Sequence, residues 1–193
     1  MLKLNIANII NCTEVEGPGK RFAIWVQGCL KRCKGCCNPE MLDLKSNQII
    51  SIHNVIKEIQ KAVINYEIEG ITFIGGEPFL QAKGLSEIAK YCRKNNLSVM
   101  IFSGYTLKEI QNGEFEESQK LLDNCDILVD GEFEINNLDY ERNWIGSKNQ
   151  KIHYLSDFYS KGIEYSKEFK EGLEFRIMKN NIQFNGDPIG CEL

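Results

Sequence analysis

The sequence predicts an α/β protein: a partial (β/α) barrel of about five or six mostly parallel strands with a carboxyl-terminal β-hairpin. Three observations carry that expectation. Short apolar, β-prone runs alternate with amphipathic helical segments, the pattern of βαβ units whose strands are buried on both faces. The chain has 193 residues, fewer than the about 250 of a complete eight-stranded barrel. Polar or glycine-rich loops follow the apolar runs, and in such sheets that edge carries the ligand site. No repeat or Pro/Ser-rich linker divides the sequence, so 1–193 reads as a single domain, with a core over about 15–155 and an extension over about 156–193.

The elements follow in order. Arg21–Val26 (RFAIWV) reads as a strand that runs into a cysteine loop. Ser51 is placed to cap a helix whose apolar positions Ile52, Val55, Ile56, Ile59 and Val63 follow the helical period. Ile71–Ile74 is a buried-type strand ending at Gly75-Gly76, and a second amphipathic helix carries Leu85, Ile88, Ala89 and Cys92 on one face. Leu97–Phe102 is a strand, a short helix follows Thr106, and Asp126–Val129 is another strand. Glu174–Asn185 reads as two short strands around an Asn-Asn turn, a hairpin added to the main sheet.

Composition narrows the function. With 42% hydrophobic and 26% charged residues the chain is an ordinary globular one, which excludes disorder. The 27 acidic residues outnumber the 23 basic ones, and no basic run stands out. Neither a nucleic acid nor a membrane surface is therefore expected as partner. The amino terminus, MLKLNIANIINC, is interrupted by Asn5 and Asn8 and has no cleavage-site pattern, and no apolar run approaches the roughly 20 residues of a membrane helix. The expected compartment is the reducing cytoplasm, where clustered cysteines hold metal or do redox chemistry.

Four of the eight cysteines lie between Cys29 and Cys37, in GCLKRCKGCCNPE. Cys29, Cys33 and Cys36 form a C-x-x-x-C-x-x-C pattern, close enough for three soft thiolates to wrap one face of a small metal centre. A structural zinc site takes four ligands, commonly from paired motifs. No second pair exists, and the histidines, His53 and His153, are distant in sequence. A 4Fe–4S cluster normally has four cysteine ligands; held by three, it keeps one iron open. Cys37 as a fourth ligand is the alternative, but adjacent side chains usually diverge, and it reads better as a neighbouring thiol. Cys12, Cys92, Cys125 and Cys191 read as structural. Lys31, Arg32 and Lys34 read as a solvated loop, with docking of a partner or electron donor as the alternative.

Four loops would meet on one edge: the cysteine loop, Gly75-Gly76-Glu77-Pro78, Ser103-Gly104-Tyr105 and Asp130-Gly131. Glycine admits a ligand close to the backbone, Glu77 can bind an ammonium group, and Ser103 can hydrogen-bond a sugar or carboxylate. Each also has a plainer reading: a tight turn at Gly75-Gly76, a connection at Ser103-Gly104, a cap at Asp130.

These residues carry a family pattern. Cys29, Cys33, Cys36 and the Gly75-Gly76-Glu77-Pro78 turn resemble the cluster motif and S-adenosylmethionine (SAM) turn of radical SAM enzymes. The segment Glu16–Glu40 is similar to the activating enzymes of glycyl-radical enzymes. Gly35, the short chain, and DILVDGEF followed by NWIGSKNQKIHYL resemble most the activases of anaerobic ribonucleotide reductases. One departure stands out: many radical SAM enzymes place an aromatic residue before the third cysteine, and here it is Gly35, a glycine the reductase activases share. The resemblance covers about residues 5–155.

It implies a radical SAM fold, a 4Fe–4S cluster on Cys29, Cys33 and Cys36, and SAM chelated to the open iron. Glu77 would lie near the SAM amino group beside Gly75 and Gly76. Ser103 and Asp130 would contact SAM or an associated ion, Asn38 would support the pocket, and Arg21 would help order the cluster loop. The reduced cluster would cleave SAM, and the 5′-deoxyadenosyl radical would take hydrogen from a glycine of an anaerobic ribonucleotide reductase large subunit. A donor such as a flavodoxin would supply the electron. The alternatives are a radical SAM enzyme acting on a ribosomal peptide or small molecule, and a non-catalytic iron–sulfur or zinc module.

Overall fold

In the computed structural model, which describes residues 2–113, 115–169, 172–178 and 181–186, Lys3–Thr13 forms β1 and Arg21–Val26 forms β2. Gln48–Ser51 (β3) leads into helix α1, Ile52–Tyr66, and β4 spans Gly70–Gly75. Helix α2 (Ala82–Lys94) and β5 (Ser98–Ser103) follow, then the single-turn helices α3 (Leu107–Gln111) and α4 (Ser118–Leu122). Ile127–Asp130 is β6, Lys151–Tyr154 is β7, and Leu173–Met178 and Asn181–Gly186 are β8 and β9.

The main sheet has seven strands in the order β3-β1-β2-β4-β5-β6-β7. Its centre, β2-β4-β5-β6, is parallel; β1 pairs antiparallel with β2, β3 antiparallel with β1, and β7 antiparallel with β6. The expectation of about five or six strands falls short because the flanking strands hide in the sequence. Register shifts between Ile6 and Asn8 and between Ile10 and Thr13 break the two-residue alternation of β1. The β3 and β7 strands are only four residues long.

The hairpin departs from expectation more instructively. Among the described residues β8 and β9 pair only with each other, as a separate two-stranded sheet. The hairpin does not extend the main sheet because side chains, not backbone, attach it. Arg176 Nη2 donates to Cys12 O at 2.8 Å, Glu174 Oε1 accepts from Glu14 N at 2.8 Å, and Asn185 Nδ2 donates to Thr13 Oγ1 at 2.9 Å. Asn180, half of the expected turn, and Cys191 lie outside the described residues.

Helices cover one face of the sheet. Phe22, Ile24, Val26, Ile71, Phe73, Val99, Ile101 and Leu128 bury against Val55, Ile59, Leu85 and Ile88. Ser51 Oγ caps α1 by accepting from Asn54 N at 3.2 Å. Ile52, Val55, Ile59 and Ala62 fill its buried face, Ile56 packs at the margin, and Val63 is exposed. The face of α2 is as expected, and its Cys92 is fully buried, as is nearly all of Cys125. The alternate strand residues, among them Trp25, Ile74 and Phe102, point to the other face. There they line a cavity of about 340 Å³.

Candidate active site

The cysteine loop leaves β2 through Gly28, whose φ of 101° is in glycine's range. Its base is pinned: Gly28 N donates to Met41 O at 2.8 Å and Cys29 N to Leu42 O at 3.0 Å. Left-handed backbone at Arg32 (φ 51°) and Gly35 (φ 77°) turns the loop back on itself. A Cβ at Gly35 would lie 2.5 Å from Ile135 Cδ1, so the left-handed backbone and the neighbouring side chain both account for a glycine here.

Cys29, Cys33 and Cys36 all line the cavity, as do Cys37 and Asn38, and the Asn38 backbone N donates to Cys36 Sγ at 3.4 Å. Burial pushes the Cys33 and Cys36 thiols above their ordinary range, and the neighbouring thiols add to this. A cation that displaces those protons relieves both effects. Among the described residues no three His, Cys, Asp or Glu side chains close around a single metal ion. Thiols gathered in one cavity are the donor set that an iron–sulfur cluster takes.

The second loop packs directly on the first. Gly76 N donates to Val26 O and Glu77 N to Gly28 O, both at 2.8 Å. A Cβ at Gly76 would sit 2.3 Å from Gly28 O; only glycine lets the two backbones approach so closely. Gly75, Gly76, Ser103 and Gly104 form a wall of the same cavity.

Glu77 stands behind that wall, fully buried. Its carboxylate accepts from Phe79 N at 3.0 Å, Ser103 Oγ at 2.9 Å and Gly104 N at 2.9 Å. Burial raises its pKa to about 7, against the pull of those three donors. Asp130 is also behind the wall: it accepts from Leu107 N at 2.5 Å, and His153 Nε2 lies 2.9 Å from its Oδ2. Burial opposes its charge, yet His153 and the Leu107 amide hold Asp130 below the usual carboxylate range. Seven of the ten expected residues thus meet in one cavity, and these two carboxylates brace it. The tenth, Arg21, begins β2, at the opposite end from the cysteine loop. It is buried, donating to Thr72 Oγ1 at 2.7 Å, Pro18 O at 3.0 Å and Ser98 Oγ at 3.0 Å.

Among the cavity residues that sequence reasoning did not assign to the site, three stand out. Glu16 is buried, and burial raises its pKa to about 7 against the hydrogen bond from Asn185 Nδ2 at 3.2 Å. Its place before Gly-Pro-Gly was the only signal. Trp144 adopts left-handed backbone (φ 66°), unusual for a bulky residue, and its buried indole N–H has no partner among the described residues. Lys31 is not solvated as the charge run implied. Its ammonium lies 3.1 Å from Glu109 and 3.0 Å from Glu132, and 4.2 Å from the centre of the Tyr105 ring. Arg32, by contrast, reaches Asp43 only at 3.7 Å on the exposed surface.

The molecule is an α/β protein with a parallel-cored sheet and clustered thiols on a loop at its carboxyl edge. The chain belongs to the 4Fe-4S single cluster domain family, whose model matches residues 15–153. It is 30% identical over 159 residues to the anaerobic ribonucleoside-triphosphate reductase-activating protein of Enterobacteria phage T4, covering 80% of this chain and 96% of that one. The protein of the same name from Vibrio cholerae is 31% identical over 150 residues, 72% of this chain and 90% of the relative. The pyruvate formate-lyase 1-activating enzyme of Escherichia coli is 33% identical over 89 residues, only 45% of this chain and 36% of that enzyme.

Proposed function

We propose that this protein is a radical SAM activase with the partial-barrel fold of that class, acting in the cytoplasm on the large subunit of an anaerobic ribonucleotide reductase. The observation that carries the reading is the shared cavity: the cysteines of the loop, two glycines and Ser103 line one space sized for a small cofactor. Relatives named as reductase-activating proteins, matched over nearly their whole length, support the choice of substrate.

On this reading Cys29, Cys33 and Cys36 hold a 4Fe–4S cluster, and Gly75, Gly76, Asn38 and Ser103 hold SAM. A cluster held there would supply, from a flavodoxin-like donor, the one electron needed to cleave SAM with release of methionine, the chemistry that would lead to hydrogen removal from the partner's glycine. The chain's own work is positioning. Gly76 brings its backbone to the ligand, and Glu77 fixes the Ser103 hydroxyl and the Gly104 amide. Asp130 anchors the first turn of α3 behind them. Arg21 orders the segment Glu16–Pro18, to which it and Thr72 are bonded, rather than the cysteine loop directly.

The test is anaerobic reconstitution with iron and sulfide, followed by electron paramagnetic resonance of the reduced protein with and without SAM. A 4Fe–4S signal that shifts on adding SAM, together with a glycyl radical on added reductase, supports the reading. Cys33→Ala should abolish the cluster and Cys37→Ala should spare it. A cluster lost in Cys37→Ala and indifferent to SAM would sink the enzymatic reading in favour of an electron-transfer module.

A further inference from the structure

The hairpin β8–β9 is built inside out. Its inward face is polar: Glu174, Arg176 and Asn185 bond to the segment 12–16. Arg176 also binds Asn185 and Glu174, locking the two strands to each other. The outward face is apolar, with Phe175 opposite Phe184 and Ile177 opposite Ile182. Phe175 is 63% exposed and Ile177 is 84% exposed. Soluble chains rarely present so many large apolar side chains side by side without a partner. The polar bonds hold this face outward, so it cannot turn in and become core.

Two further observations say what covers it. Leu173 and Phe184, at one end of the face, also line the cavity that holds the three thiols. The face is therefore continuous with the wall of the site. Second, two strands of about six residues present roughly 200 Å² in outline. A standard protein–protein interface needs about 800 Å² from each partner. The face is too small to hold a dimer by itself, but it matches a single extended segment. Among the described residues neither strand has a second ladder partner, so such a segment can also add its own backbone at the edge.

We infer that the apolar face of the β8–β9 hairpin is a docking strip for an extended, apolar segment of the protein substrate, next to the glycine that enters the cavity. The inference rests on the activase reading above and names how that substrate is gripped. The strip lies outside residues 15–153, the stretch that the family model matches.

The test uses the full-length reconstituted protein, the double variant Phe175→Ser/Ile177→Ser, and the anaerobic ribonucleotide reductase of the same genome. Neither side chain lines the cavity, and both are mostly exposed, so dithionite-driven SAM cleavage without partner should stay within about twofold of wild type. Affinity for the reductase should fall about tenfold or more, the range for loss of a central apolar contact. Adding reductase to the wild type should slow amide exchange in 173–178 and 181–186. Equal binding by variant and wild type overturns the docking strip alone. Loss of self-association with reductase affinity intact also overturns it, by showing a second copy on the face. Wild-type protein that cleaves SAM but does not bind the reductase fails the functional reading itself, and the strip with it.

Discussion

The Ser103 hydroxyl donates to Glu77 Oε1 at 2.9 Å, joining the loop after β5 to the turn after β4 beneath the cavity floor. Glu77 also receives the amides of Phe79 and Gly104, so one carboxylate sets three groups on two loops. In Glu77→Gln the oxygen can keep Ser103 and Phe79, but the new NH₂ faces the Gly104 amide, donor against donor. An unpaired buried amide costs about 1–3 kcal/mol. SAM affinity should fall at least about tenfold while bound iron is unchanged. Calorimetric titration of SAM beside an iron assay measures both, and unchanged affinity would remove Glu77 from the binding machinery.

The pH dependence of the metal-free protein follows from Glu16 and Glu77. Each is pushed to about 7 by burial, against about 4.3 in an unfolded chain. Between those values the folded state binds more protons than the unfolded one, so stability falls as pH rises, by up to about 1.4 kcal/mol per pH unit for each group. The contribution is complete below about 4.3 and lost as pH passes 7. Asp130 and Asp139, held low, act oppositely and matter only below about pH 4. Urea unfolding at pH 5.5, 6.5 and 7.5 should show declining midpoints, and Glu77→Gln should flatten the decline.

Gly76→Ala tests the contact between the two loops. The added methyl would lie 2.3 Å from Gly28 O, a backbone atom that cannot step aside alone. Overpacking of this kind costs about 1–3 kcal/mol. Both the denaturation midpoint and SAM affinity should drop; a variant with wild-type values for both would show that the loops do not approach this closely.

Lys31→Met keeps the stem that packs on Gly104 and removes the charge between Glu109 and Glu132. Burial opposes that charge, but the two carboxylates hold the ammonium's pKa above the usual lysine range. The expected loss is about 1 kcal/mol in stability, smaller at high salt because Glu132 is half exposed. The resonance lines of the reduced cluster should also broaden as the Cys29–Cys33 loop loses its anchor on α3. Sharp, wild-type lines would show that the loop is held by its cysteines alone.

The strands that carry the site were legible because they are buried on both faces. Arg21–Val26 matches β2, and the other three parallel strands fall within one residue of their expected ends. The flanking strands were not legible, since bulges in β1 and the shortness of β3 and β7 erase the periodic signal. In the site, spacing revealed the thiols and the glycine turn. It did not show that Glu77 is enclosed by donors from two loops, because Ser103 and Gly104 lie 26 and 27 residues further on. Nor did it show that Lys31 meets acids 78 and 101 residues away. Charge in a loop looks solvated until the fold supplies its partners.

The two cysteines sealed in the core carry a consequence for how the protein is made. The thiolate, not the thiol, captures metal and reacts with oxidants. Burial raises Cys92 to about 12 and takes Cys125 well above its ordinary range, so both stay protonated and out of reach while the fold is intact. An iron ion arriving during maturation meets sulfur where Cys33, Cys36 and Cys37 open to solvent. A folded chain is thereby protected from mis-metallation at its core, and a partly unfolded one is not. Loading should consequently follow folding, with iron misplaced on Cys92 and Cys125 as the mark of a chain metallated too soon.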